Sequence, residues 1–244
     1  NPNLYLGEGY MNGEIVIEEG SLEDFINIVT SCYDDFVMHN PFFRIYEKIS
    51  AVFRPFHQFN KLVQSKKNVA HHYDLNENLY RLFLDKDMQY SCAYFYNESI
   101  GLDQAQTDKK KHIINKLNIK EGMKVLDIGC GWGGMAIQIA KETGAYVKGI
   151  TLSENQFESA KKRAFEEGLN EKVNFALQDY RFETSIYDRI VSIGMFEHVG
   201  INYFQTFFKK TIDLLDDSGV MLLHTIGQKG IPQATSPWIR KYIF

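Results

Sequence analysis

The chain has 244 residues, enough for one or two domains with a real core, and its 44% hydrophobic and 24% charged content is ordinary for a globular protein. A formal net charge of −4 argues against a nucleic-acid binder, which would carry a basic surplus. The three cysteines, Cys32, Cys92 and Cys130, are widely spaced and form no CxxC pair, so they indicate neither a disulfide framework nor a metal site and fit a reducing cytosol.

Residues 1–65 read as a small α+β domain. Residues 7–13 are rich in glycine and predict a turn, and Ile15-Val16-Ile17 predicts a short strand. Ser21 is placed to cap a helix from Leu22, with Phe25, Ile28 and Val29 on its apolar face. Residues 65–68 are polar and read as a linker, and the aromatic-rich segment 66–108 is expected to lie as linker and lid over a site. That segment carries Tyr73, Tyr80, Phe83, Tyr90, Tyr94 and Phe95, a density that suits burial or the wall of a greasy pocket. Lys109-Lys110-Lys111 reads as a solvated face or as a contact for an anionic bilayer.

From Lys109 to the end, helices alternate with short apolar strands. Helices are predicted over 111–117, 134–142, 154–167 and 203–215, and strands over 124–128, 146–150, 173–177, 189–193 and 220–224. Phe204, Phe207 and Phe208 with Leu214 and Leu215 give the last helix a core-facing side. Such alternation predicts right-handed βαβ units, a mostly parallel sheet, and ligands beyond the carboxyl ends of its strands. No apolar run approaches the roughly 18 residues of a membrane span, and no signal-peptide pattern opens the chain. The chain starts at Asn1 without methionine and stops in the apolar, aromatic run 238–244, so it is expected to be part of a longer protein.

The strand Val125-Leu126-Asp127-Ile128 runs into Gly129-Cys130-Gly131-Trp132-Gly133-Gly134, a glycine turn that opens a helix. The match of Gly129, Gly131 and Gly134 to GxGxxG is weak evidence by itself, since a tight turn alone would show it. Asp127 just before the turn suits an adenosylmethionine loop better than a pyrophosphate loop. The next strand ends at Thr151, where a dinucleotide site would want an acid for the ribose. Cys130, wedged between glycines, reads as a small spacer.

Several strings then occur in order: His72-Tyr73-Asp74, the segment from Met88-Gln89-Tyr90-Ser91-Cys92 to Phe95, the glycine turn with Trp132, and Thr151-Leu152-Ser153 with Gln156. They continue with Gln178-Asp179-Tyr180, Gly194-Met195-Phe196-Glu197-His198-Val199-Gly200 and Leu222-Leu223-His224-Thr225-Ile226-Gly227. Together, from about Asn68 to Phe244, they resemble the cyclopropane fatty acid synthase family, which includes the related mycolic acid methyltransferases. The resemblance implies an α/β, Rossmann-like class I methyltransferase fold over 109–244, beside the small amino-terminal domain. Residues 6–13 are similar to the amino-terminal domain of the bacterial phospholipid enzymes, which favours an intact unsaturated phospholipid over a carrier-bound acyl chain.

Position by position, the resemblance implies S-adenosylmethionine against Tyr90, Ser91, Val125, Asp127, Gly129, Gly131, Gly133, Thr151, Leu152, Ser153, Gln156, Tyr180 and Arg181. It implies a bicarbonate ion on Cys92, Glu197, His224 and Ile226, and no metal. The family also uses a tyrosine and a cysteine from a carboxyl-terminal segment, and neither lies in these 244 residues. Such an enzyme would work in the cytoplasm, peripherally at the inner face of the cell membrane, and the resemblance leaves room for a homodimer.

The chemistry explains the residue types. An alkene is a poor nucleophile and needs the electrophilic methyl of a sulfonium. Its attack leaves a carbocation that aromatic faces stabilise. Ring closure then needs a base in a dry site to take a proton from the new methyl group, a contribution typically worth about 10²–10⁴-fold. Glu197 follows one predicted strand and His224 ends another, so both fall on the carboxyl edge of the sheet. Alone, His224 would read as a satisfied strand-end histidine and Cys92 as a buried hydrophobe; His71 and His198 are read as structural. Methyl-branched or hydroxylated products, and a non-catalytic lipid- or cofactor-binding module, stay open as alternatives.

Overall fold

Helices and strands alternate through the described part of the chain, residues 2–42, 45, 49, 77–227, 229 and 236–242 of a computed structural model. The expected linker at 65–68, His71, His72, Tyr73 and Asp74 lie outside the described residues. The chain divides into two compact units, one of residues 1–59 with 228–244 and one of residues 60–227. In chain order the elements are α1 (Pro2–Met11), α2 (Leu22–His39), α3 (Glu77–Arg81), α4 (Leu102–Leu117), β1 (Lys124–Ile128), α5 (Gly134–Thr143), β2 (Tyr146–Thr151) and α6 (Glu154–Glu166). There follow β3 (Val173–Leu177), β4 (Tyr187–Ile193), α7 (Phe204–Leu214), β5 (Leu215–His224) and α8 (Pro237–Tyr242).

In the first unit, Ser21 caps α2 as predicted. Its Oγ accepts from the Asp24 amide at 3.1 Å while Asp24 Oδ2 accepts from the Ser21 amide at 2.8 Å, the reciprocal bonds of a capping box. Two expectations are corrected. Residues 7–11 continue α1 instead of turning, because Gly7 is there for contact: a Cβ would overlap the Trp238 indole. Residues 15–17 form no strand; Ile15 folds back on α1, with its amide on Gly9 O at 3.0 Å and its side chain against Gly9.

The second unit is built on a five-stranded sheet of order β3-β2-β1-β4-β5 in which every pairing is parallel. Val125, Val147, Val173 and Val191 point to one face, covered by α4, α5 and α6. Leu126, Ile128, Ile150 and Ile190 point to the other and meet Phe207 and Leu214 of α7. Strands buried on both faces read as continuous apolar runs, which is why they were legible. Each fully buried aliphatic side chain contributes about 1.5–3 kcal/mol. Phe207 is fully buried, but Phe208, expected in the core, is 44% exposed.

Helix α4 begins nine residues before its predicted start. Its packed face is Ala105, Gln106, Lys109, Lys110, Ile113, Ile114 and Leu117, a helical repeat disguised by polar residues. Lys109 and Lys110 are each 4% exposed, which overturns the solvated or bilayer-facing reading for both; only Lys111 faces solvent. Strand β5 starts five residues early, paired through Leu215 with Tyr187 before a register shift brings Val220 to Arg189. No described helix is long and apolar enough to cross a membrane.

Candidate active site

The chain runs outward from β1 through β2 to β3, then returns to place β4 on the other side of β1. Loops leaving β1 and β4 therefore diverge, and a crevice opens between them at the carboxyl edge. Residues of the glycine turn, the ends of β1, β2 and β4, the turn 178–181 and the segment 88–91 line one cleft there.

The glycine turn is shaped for a ligand. Gly129 has φ +81° and a Cβ on it would come within 2.7 Å of Met195, so a side chain is excluded both conformationally and sterically. Gly131, at φ +55°, has nothing within 4 Å of where a Cβ would stand, so its open side gives a ligand access to the backbone. Asp127, 2% exposed, ends in this cleft with Oδ2 unpartnered among the described residues, and burial pushes its carboxyl up to about 7. Burial also drives the Cys130 thiol far up, leaving it an inert spacer.

Beyond β2, the Thr151 hydroxyl donates to Gln156 Oε1 at 2.9 Å and accepts from the Ser153 amide at 3.2 Å. Arg181 grips Asp179 with Nη2 on Oδ2 at 2.6 Å and Nε on Oδ1 at 2.8 Å; these bonds hold the guanidinium above its usual range. Burial pushes the Tyr180 phenol up to about 12.

Ten of the predicted cofactor residues lie on the cleft: Tyr90, Ser91, Asp127, Gly129, Gly131, Thr151, Leu152, Gln156, Tyr180 and Arg181. Three do not. Val125 sits at the far end of β1 with its side chain in the core. Gly133, at φ +84°, lets α5 approach Phe175 and Ala160. Ser153 is fully buried and caps α6, its Oγ accepting from the Gln156 amide at 3.3 Å. Sequence reasoning placed Trp132 within the cofactor loop but missed Met88, Gln178, Gly194 and His198, all of which line the cleft. Trp132 and Met88 cluster with Tyr80, ring centroids of Trp132 and Tyr80 being 4.8 Å apart. Of the other aromatics, Phe83, Tyr90, Tyr94 and Phe95 are about half exposed, so the segment is neither simply buried nor a closed pocket wall.

The expected acid-base residues stand on the same sheet edge. Ile193 pairs with His224 in the β4–β5 register, and the Gly194 amide donates to His224 O at 3.0 Å. Glu197, in the short turn 196–198, accepts from the Ile226 amide through Oε1 at 2.7 Å. Glu197 Oε2 and His224 Nδ1 are both buried and without a hydrogen-bond partner among the described residues. Cys92 is exposed and no hydrogen bond ties it to this group among the described residues, so three of the four predicted positions come together and the thiol does not visibly join them. No metal-binding cluster of His, Cys, Asp or Glu occurs among the described residues.

A family model described as mycolic acid cyclopropane synthetase matches residues 60–244. The cyclopropane-fatty-acyl-phospholipid synthase of Escherichia coli (strain K12) is 47% identical over 186 residues, covering 75% of this chain and 47% of that protein. The crystal structure of mycolic acid cyclopropane synthase CmaA1 complexed with SAH and CTAB aligns with a TM-score of 0.63 and 38% identity, over 65% of this chain and 55% of that one. Coclaurine N-methyltransferase, bound to N-methylheliamine and SAH, shares the fold with a TM-score of 0.69 at 22% identity, over 84% of this chain and 60% of that one. The chain spans about half the length of the curated relatives it matches. Sheet order, glycine turn and matched length agree: the chain belongs to the mycolic acid cyclopropane synthetase family and has its Rossmann-like α/β methyltransferase fold.

Proposed function

We propose that this chain is the adenosylmethionine-binding part of an enzyme that transfers a methylene unit to the cis double bond of an unsaturated acyl chain in a membrane phospholipid. S-adenosylmethionine, when bound, supplies an electrophilic sulfonium methyl. Gly129 and Gly131 would admit it to the backbone, Tyr90, Ser91, Thr151, Leu152 and Gln156 would flank it, and Asp127 would face its cationic end. The similarity to the cyclopropane-fatty-acyl-phospholipid synthase of Escherichia coli and to CmaA1 supports this reading.

The observation that carries it is the pair of orphaned buried atoms, Glu197 Oε2 and His224 Nδ1, beside the cleft. An unsatisfied buried polar atom costs about 1–3 kcal/mol, so a small polar guest belongs there. Glu197 Oε2, which can accept a hydrogen bond, and His224 Nδ1 would be the groups to hold a bicarbonate ion. The chemistry that such an ion would supply there is that of a small general base for the transferred methyl. The Ile226 amide donates to Glu197 Oε1 at 2.7 Å, which leaves Oε2 for such a guest. Exposed Leu82, Phe83, Tyr94, Phe95 and Tyr96 offer an apolar surface for peripheral contact at the inner face of the membrane.

Product mass tests the assignment. Incubation with S-adenosylmethionine and vesicles of monounsaturated phospholipid should add the mass of CH₂ per double bond consumed, because the methyl enters and one proton leaves. Gain of two further hydrogens would replace ring closure with hydride addition and a methyl branch. Binding of the cofactor with no product from the full-length protein would reduce the site to a binding module.

A further inference from the structure

Residues 82–92 have no helix or strand of their own, yet they bring Met88, Gln89, Tyr90 and Ser91 to the cleft. Side chains of α4 hold them instead. Gln106 Nε2 donates to Ser91 O at 2.9 Å and to Gln89 O at 3.3 Å, Lys109 Nζ donates to Ser91 Oγ at 2.8 Å, and Lys110 pairs with Asp87. Positions 106, 109 and 110 share one helix face, so one side of α4 holds the segment at Asp87, Gln89 and Ser91, with Arg163 of α6 adding a second hold on Asp87.

Lys109 stands out among them. It is 4% exposed, yet Ser91 Oγ is its hydrogen-bond acceptor among the described residues and no carboxylate forms an ion pair with it there. The titratable groups that face it are Asp85, Asp87 and Cys92 on the segment and Lys110 on its own helix. Asp85 is occupied with the amides of Gln89 at 2.6 Å and Asp87 at 3.1 Å, and Asp87 with Lys110 and Arg163. The buried charge of Lys109 is thus directed onto a serine that lines the cleft. A hydroxyl that accepts from an ammonium keeps its own hydrogen to donate, and donates it more strongly for being polarised.

We propose that Lys109 is a positioning residue of the cleft: through Ser91 Oγ it presents a polarised donor to a ligand carboxylate, at the amino-acid end of S-adenosylmethionine, a role that rests on the cofactor reading above. Burial, opposed by the attraction of Asp85, holds the Lys109 ammonium down at about 8. Its charge therefore falls away as pH rises through that value, and the help it gives Ser91 falls with it.

Calorimetry on the full chain tests this with two probes, S-adenosylhomocysteine, which carries the carboxylate, and 5′-methylthioadenosine, which lacks the amino-acid end. Lys109→Met keeps the apolar stem, and Ser91→Ala removes the hydroxyl. Each should weaken S-adenosylhomocysteine about tenfold, the scale of one hydrogen bond to a charged group, and leave methylthioadenosine unchanged. The double variant should be no weaker than either single one, since both break the same relay. Wild-type affinity for S-adenosylhomocysteine, but not that of Lys109→Met, should drop between pH 7 and about 9 as the ammonium discharges. Equal losses for both probes would mean a displaced segment and overturn the role, as would no loss at all. A wild-type chain that binds neither probe would defeat the cofactor reading itself and take this inference with it.

Discussion

Replacing Asp127 with asparagine should make the protein's stability less sensitive to pH, and the size of the change can be worked from one buried atom. Asp127 is 2% exposed with Oδ2 unpartnered among the described residues, and burial lifts its carboxyl from 3.8 to about 7. Between those values the folded protein keeps a proton that the unfolded chain has released, so stability falls as pH rises through the window. At about 1.4 kcal/mol for each pH unit, the interval amounts to about 4 kcal/mol between pH 4 and pH 7.5. The whole of it should appear as a pH-dependent difference between wild type and Asp127→Asn, because the amide does not titrate. Urea unfolding across that pH range reads it directly: the wild-type midpoint should decline toward neutral pH relative to the variant. Midpoints that move in parallel would show that Asp127 is ionised at ordinary values in the fold, and the argument from burial would fail.

Glu197→Gln should lower turnover by about 10²–10⁴-fold while leaving S-adenosylhomocysteine affinity nearly unchanged, since the carboxylate is assigned to the proton-accepting cluster and not to the cofactor. A variant that keeps most of its activity would remove Glu197 from the reaction. Asp87→Ala should cost about 3 kcal/mol in an unfolding titration, because it strips Lys110, 4% exposed, of its carboxylate and leaves a buried charge. A loss below about 0.5 kcal/mol would mean that Gln138, whose Oε1 lies 3.2 Å from Lys110 Nζ, suffices as its partner.

The sheet was legible because its information is local. In β1 the apolar residues Val125, Leu126 and Ile128 lead into glycines at fixed spacing, and both signals survive without any knowledge of neighbours. The first half of α4 was not legible, since Gln106, Lys109 and Lys110 look like a solvated face until the segment 85–91 is laid against them. Gly7 misled for the same reason: it reads as a turn signal, and only Trp238, distant in sequence, shows that it makes room for an indole. Within the site, the strings identified neighbourhoods correctly but not directions. Ser153 follows two cleft residues and yet turns inward to cap α6, while His198, set aside as structural, turns out onto the cleft wall.

What ties the sheet edge to chemistry is its accumulation of polar atoms that the fold leaves unsatisfied. Asp127 is the penultimate residue of β1, Glu197 follows β4 and His224 ends β5, three adjacent strands, so Asp127 Oδ2, Glu197 Oε2 and His224 Nδ1 all fall toward the carboxyl edge. Each costs about 1–3 kcal/mol if it stays unpartnered, against a total stability of about 5–15 kcal/mol for a typical domain. A sheet selected for stability alone would fill these positions with apolar side chains, as it does at Val125, Leu126, Ile190 and Val191. Cationic and hydrogen-bonding ligands would reverse the penalty: one on Asp127, another between Glu197 and His224. Asp127 stands on β1 and the Glu197–His224 pair at the ends of β4 and β5, so the loops that diverge at the β1–β4 crevice divide the labour the proposed reaction asks for: one group to face a methyl donor and another to serve the proton transfer that follows.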